Sequence, residues 1–260
     1  MHAWINLLSL GNNLNAPLLK KYGVDILTRN LEPKAKLSDY KIDNQYFLEP
    51  GDSHVRNEVL GIVKDVILTY PELDGIQLDY IRYPDVHPVY GYTPENIERF
   101  KKATGLKTIV EKSDAWQNWK RTQVTELVEM LVKEIRAMRP KIQISTTGCA
   151  PYERAYYEAF QDWPSWIKLG LVDFVTVMSY PDNLIDYKKE IEGVKSRNLD
   201  LKRINFGVPA YKLIKNPKVF SQLFDYCQNT GGRACVVFHY GNLLENPYLS
   251  SFLNKRPHMQ

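Results

Sequence analysis

The sequence predicts an α/β fold of the parallel (β/α)-barrel kind, on three observations. Short apolar runs alternate with amphipathic helical stretches, the pattern of βαβ units and a largely parallel sheet. The length of 260 residues suits one such barrel or two small domains. The long irregular stretches, about 9–50 and 82–112, both follow strand ends, where a barrel carries its working loops.

Six strands are expected, at 2–8 (HAWINLL), 74–81 (DGIQLDYI), 142–147 (IQISTT), 172–180 (VDFVTVMSY), 204–210 (INFGVPA) and 234–240 (ACVVFHY). Between the first two, Asp52 and Ser53 are candidate N-caps for a helix to about Tyr70. That helix would bury Val55, Val59, Ile62, Val63, Val66 and Ile67 on one face. Thr93-Pro94-Glu95 opens the next helix and Gly105 ends it. Ser113 starts the longest, carrying Trp116, Leu127, Val128, Leu131, Ile135 and Met138 before Pro140 stops it. Asp162-Trp163-Pro164 opens a short helix closed by Gly170. Asn44 to Leu48 could form a short extra strand, although Glu49-Pro50-Gly51-Asp52 reads as a loop into the helix cap. No repeat or low-complexity linker marks a boundary, so residues 1–260 read as a single domain.

Composition narrows the function classes. The formal charge of +4 is small, and Lys and Arg are spread along the chain, unlike the dense basic stripe of a nucleic-acid binder. All apolar stretches are too short for a transmembrane helix. Cys149, Cys227 and Cys235 lack CxxC spacing, so buried free thiols are expected rather than a zinc site or a disulfide framework. The histidines show neither HxH nor HExxH spacing, so no metal or other cofactor is expected. Seventeen tyrosines and five tryptophans suit a carbohydrate site, since sugar C–H faces stack on flat rings, although such residues also fill cores. No signal peptide precedes the first strand, which fits a cytoplasmic protein or a segment of a longer one.

The sharpest segment is DGIQLDYIRYP, residues 74–84. Strand alternation puts Ile76, Leu78 and Tyr80 on one face, suited to packing on helices. Gly75, Gln77 and Asp79 take the other, leaving a carboxylate at the C-terminal rim, where barrel enzymes keep catalytic groups. Such a carboxylate needs a partner or a task, and Arg82 is near enough to pair with it. An Asp–Arg pair that merely stiffens the loop is the plainer alternative.

The same run resembles the fourth-strand motif of the bacterial glycosyl-hydrolase-like family 10, TIM barrels that cleave glycans, some of them peptidoglycan. The likeness continues through Gly91-Tyr92-Thr93-Pro94 with Phe100 and Ala103-Thr104-Gly105. It extends to Trp119-Lys120-Arg121 with Gln123-Val124, Phe160-Gln161-Asp162-Trp163-Pro164 and Met178-Ser179-Tyr180. His2-Ala3-Trp4-Ile5-Asn6 resembles the family's third strand, and Glu49-Pro50-Gly51 the turn after it. The resemblance therefore implies a barrel lacking its first two strand–helix units, either open or distorted with its gap covered by the 9–50 segment or a second copy of the chain, or stable only as part of a longer protein. It also implies an extracytoplasmic setting. The strand is more distantly like the DGxDxDxE strand of family 18 chitinases, but Gln77 replaces an Asp and Ile81 stands where the acid would be.

Glycoside hydrolysis uses two carboxyl groups, about 5 Å apart for retention and further for inversion. Asp79 is the first candidate, as nucleophile or base, with Arg82 holding it ionised. Asp182, just past strand 172–180, is one candidate acid; Asp162 is its rival, although it also suits a helix cap, and Glu153 is a weaker one. Substrate contacts are expected from Asn6 and Trp4 on the first strand, from Arg82 and Tyr83, and from the strand-end residues Tyr180, Tyr211, His239 and Tyr240. Trp4 and His2 could instead fill the barrel. Asp79, Arg82, Asn6, Tyr180 and His239 each fall at or just past the C-terminal end of a strand, so they should cluster at one end of a parallel barrel. The expected activity is cleavage of a polysaccharide or peptidoglycan glycan; a glycan-binding barrel without an acid–base pair is the competing reading. A phosphate-binding metabolic barrel fits poorly, because Gly231-Gly232 precedes the last strand rather than the last helix.

Overall fold

A computed structural model describes residues 1–249. The chain packs as two compact units: Met1–Thr147 with Glu153–Asp173, and Gly148–Tyr152 with the residues from Phe174 onward. Among the described residues there are six strands, each parallel to its neighbours within its unit. The α/β class and the strand number are as the periodicity predicts.

In the first unit, β1 (His2–Asn6) pairs with β2 (Gly75–Asp79) in the register Trp4↔Gln77 and Asn6↔Asp79. β2 pairs in turn with β3 (Gln143–Cys149). A Cβ at Gly75 would run into the His2 ring as it stands, so a larger residue there would oblige that side chain to move. The long segment after β1 contains the short helix α1 (Pro17–Tyr22). It forms isolated bridges, Ser9↔Phe47, Leu27↔Leu48 and Ile42↔Gln45, rather than a strand at 44–48. Its hydrogen bonds to the chain after β1 lie at residues 8–11, and Trp4 and Asn6 of β1 are exposed.

Helix α2 (Ser53–Thr69) starts where the Asp52 side chain accepts from the Val55 N–H, 3.0 Å. Its buried stripe is narrower than expected: Val55, Val59, Val63 and Ile67 are buried, while Ile62 is exposed. Spacing of four residues keeps only one row on the core side. α3 (Pro94–Thr104) is capped by Thr93 and ended by a left-handed Gly105. α4 (Asp114–Met138) is capped by Ser113 and buries Trp116, Leu127, Val128, Leu131 and Ile135. Trp116 packs with Tyr92 and Phe100 in a separate aromatic core. Burial of each such ring stabilises by about 2–3 kcal/mol. α5 (Tyr152–Tyr157) and α6 (Trp163–Lys168) follow β3.

The second unit holds β4 (Phe174–Met178), β5 (Ile204–Pro209) and β6 (Ala234–Phe238), with α7 (Leu184–Lys195), α8 (Pro217–Gln228) and α9 (Tyr240–Glu245). A disulfide joins Cys227 on α8 to Cys235 on β6, and the buried Cys149 stands outside it. This corrects the expectation of free thiols. Spacing of eight residues carries no motif, but the turn from α8 into β6 folds the two cysteines onto each other. Closing a loop of that size should contribute about 2–3 kcal/mol. Denatured protein should therefore show one reactive thiol before reduction and three after it. A Cys227→Ser variant should lose that stability in urea titration, and an unchanged midpoint would refute the assignment.

Candidate functional site

Asp79 ends β2 and is buried, with 4% of its surface exposed. Tyr80 adopts a left-handed φ of 52°, so the strand stops and the Tyr80 N–H turns back onto Asp79 Oδ1 at 2.6 Å. This departs from the expected alternation. Instead of packing on helices, the Tyr80 ring tilts towards Phe47 at 6.2 Å and carries the Arg82 guanidinium at 4.4 Å.

The same Oδ1 accepts from the Thr147 hydroxyl at 2.5 Å, while Oδ2 accepts from the Trp4 indole N–H at 2.8 Å. Arg82 stands 3.6 Å from Oδ1. Every partner is a donor, the arrangement an ionised carboxylate takes. The expected Asp–Arg pair exists, and it extends outward: Arg82 lies 3.8 Å from Asp85, which pairs with Arg154 at 2.7 Å. Trp4 is 56% exposed, so it does not fill a core; one edge of its indole holds the carboxylate and much of its surface is open. Asn6, level with Asp79 on the next strand, is also exposed.

Behind this lies a second, fully buried layer. Tyr83, expected as a substrate contact, has no exposed surface; its hydroxyl donates to Glu49 and its ring meets Phe160 edge-on. The left-handed turn at Tyr80 redirects the chain, and Tyr83 serves the loop from within. Glu49 also accepts from Thr28 at 2.8 Å. Burial pushes the Glu49 carboxyl above its ordinary range despite those donors, and it pushes the Tyr83 phenol well up. Lys120, on α4, is buried as well, 3.7 Å over the Phe160 ring, and donates to the Pro88 carbonyl at 2.8 Å. Burial lowers it to about 7.

Thr147, Glu49 and Lys120 were not singled out from the sequence as site residues. Faint signals existed: a pair of threonines at the end of the third strand, a Glu ending the apolar run Tyr46-Phe47-Leu48, and a Lys near the inward row of α4. Asp162 stands at the N-cap position of α6 without a side-chain bond to the helix backbone; it accepts from the Ser165 hydroxyl at 2.7 Å instead.

In the second unit, Tyr180, Tyr211 and Phe238 form an aromatic group. Tyr180 and Phe238 stack at 5.6 Å, and Tyr211 meets both edge-on near 6 Å. Glycine permits it, because a Cβ at Gly207 would sit 2.6 Å from Tyr180 Cε1. His239 follows β6 with its ring against Phe238, and Tyr240 is largely exposed at the start of α9. Asp182 is exposed on the loop before α7, where it accepts from the Asn183 amide at 3.2 Å.

One trio among the described residues has metal-ligand geometry: Asp52, His54 and Glu95, with ligand atoms within 4.8 Å. Its two carboxylates already accept backbone N–H groups at the start of α2, from Val55 and Ser53. No helix among the described residues is long and apolar enough to cross a membrane.

Parallel strands alternating with helices define the class, an α/β chain of the (β/α)-barrel type. A β-galactosidase from Bacillus circulans sp. alkalophilus superposes on 85% of the chain and 38% of its own, with a TM-score of 0.58 at 13% identity. The GH36 α-galactosidase AgaA from Geobacillus stearothermophilus covers 97% of the chain and 30% of its own, at 0.52 and 11%. At such identity the likeness is one of fold. The chain belongs to the glycosyl hydrolase-like 10 family, which matches residues 1–223. It is 20% identical over 196 residues to the glycosyl hydrolase DigH of Escherichia coli strain K12. The match covers 69% of this chain and 42% of that protein, so the chain spans less than half of its curated relative.

Proposed function

We propose that the chain acts in glycoside hydrolysis of a polysaccharide or a peptidoglycan glycan, by carboxylate chemistry centred on Asp79. The observation that carries this reading is one carboxylate at a strand end, held on both oxygens, with the exposed Trp4 indole beside it. A sugar stacked on that indole would meet a preoriented acceptor. Asp79 then serves as nucleophile or base, with Arg82, Thr147 and Trp4 fixing its rotamer. Asn6 would bind a sugar hydroxyl. Asp182 and Asp162 remain the candidates for the acid, and the Tyr180, Tyr211, His239 and Tyr240 group is a further sugar-stacking surface. The Cys227–Cys235 disulfide supports an extracytoplasmic setting, where such bonds persist.

A second reading, glycan binding without cleavage, draws on the exposed Trp4 indole, which offers a sugar-stacking face whether or not a second carboxyl stands across from Asp79. A glycan panel that includes peptidoglycan, run with wild type and Asp79→Asn, separates the two. Cleavage lost in the variant supports hydrolysis; retention of a glycan without cleavage by either supports binding. No interaction with any member of the panel removes both.

A further inference from the structure

We infer that Gln161, in the run Phe160-Gln161-Asp162-Trp163-Pro164, is a positioning residue for Asp79. Its buried amide ties together the two chain segments that present donors to one oxygen of that carboxylate. The register of β2 and β3 pairs residues as far as Leu78↔Thr146. Asp79 and Thr147 come next on their strands, and the left-handed Tyr80 then turns the first chain away. The bond from the Thr147 hydroxyl to Asp79 Oδ1 is thus made just past the paired backbone.

Gln161 spans that point. Its Nε2 donates to the Thr147 carbonyl at 3.0 Å and to the Ile81 carbonyl at 3.4 Å, and the side chain has no exposed surface. A primary amide nitrogen carries two N–H groups, so one side chain serves two carbonyls; a hydroxyl has one donor and a carboxylate none. The first carbonyl belongs to the residue whose hydroxyl holds Asp79. The second belongs to the residue before Arg82, whose guanidinium stands 3.6 Å from the same Oδ1. Displacing the amide would move both.

Gln161 is itself held. Its N–H donates to the Ala155 carbonyl at 2.8 Å. Phe160 before it takes a left-handed φ of 52°, a region that residues other than glycine seldom occupy. The Phe160 ring is packed edge-on to Tyr83 and beneath Lys120, and the Tyr83 N–H donates to the Ala159 carbonyl at 2.9 Å. The turn that carries Gln161 is therefore fastened to the loop that carries Arg82. That Asp79 reacts rests on the reading above; its placement by Gln161 can be measured apart from any cleavage, on the Trp4 indole N–H that donates to Oδ2.

The Trp4 indole resonance, identified by its loss in Trp4→Phe, is followed in proton–nitrogen correlation spectra of the intact chain. It should move in Asp79→Asn, Thr147→Val and Gln161→Met. It should stay in Val63→Ala, a core truncation on α2 outside these hydrogen bonds. On the glycan the panel identifies, Gln161→Met should lower kcat by about 10²-fold and leave KM within about twofold, the effect of ångström-scale misplacement. An unmoved resonance in folded Gln161→Met overturns the assignment, and so does one in Thr147→Val, which tests the same link where Gln161→Met fails to fold. Equal movement in Val63→Ala, or wild-type kcat in Gln161→Met with cleavage lost in Asp79→Asn, overturns it too. The two readings fail separately. An unmoved indole with cleavage lost in Asp79→Asn removes Gln161 and keeps the hydrolase; a moved indole with wild-type cleavage in Asp79→Asn does the reverse.

Discussion

Asp79→Asn is expected to lower the rate of cleavage, on whichever glycan the panel identifies, by about 10²–10⁴-fold, the usual weight of a positioned acid–base group. The amide keeps the shape but offers one acceptor atom in place of two. With its oxygen towards the Tyr80 N–H and the Thr147 hydroxyl, its NH2 faces the Trp4 indole N–H, donor against donor. Arg82 loses its anion at the same time. The variant should therefore also lose about 1–3 kcal/mol of stability from unmet polar groups, and Trp4 fluorescence should shift. A rate within a few-fold of wild type would remove Asp79 from the chemistry, whatever happens to the stability.

Wild-type stability should rise by about 2 kcal/mol between pH 7 and pH 9, and a Lys120→Met variant should lose that rise. Lys120 is wholly buried, and burial lowers it to about 7. A lysine in the unfolded chain titrates near 10.4. Across the window between those values the unfolded state holds a proton that the folded state has released, so raising the pH favours folding. Glu49 works in the opposite sense. Its folded pKa lies above the unfolded one, so its contribution is full below the ordinary carboxyl range and fades as pH rises through the folded value. Its ionisation also favours charged Lys120, which links the two titrations. Urea titrations of wild type and variant at pH 7, 8 and 9 measure the difference directly. Parallel curves would mean that Lys120 stays charged, held by Phe160 and the Pro88 carbonyl.

The element order, the helix starts at Asp52, Thr93 and Ser113, and the placement of Asp79 at a strand end were legible from the residues alone. These are local properties. Periodicity, caps and prolines act within a few residues of the chain, and a carboxylate closing an apolar strand is visible wherever that strand goes. What tertiary structure decided was partnership. Thr147 reaches Asp79 because β3 lies beside β2, and Trp4 reaches it from the strand on the other side. Tyr80 leaves the β conformation and sends Tyr83 inward to Glu49, a turn that no alternation rule contains. Cys227 and Cys235 meet only because α8 packs against the strand that follows it. Hydrogen bonds, ion pairs and desolvation depend on distances across the fold, and sequence spacing sets those distances only within a single helix or strand.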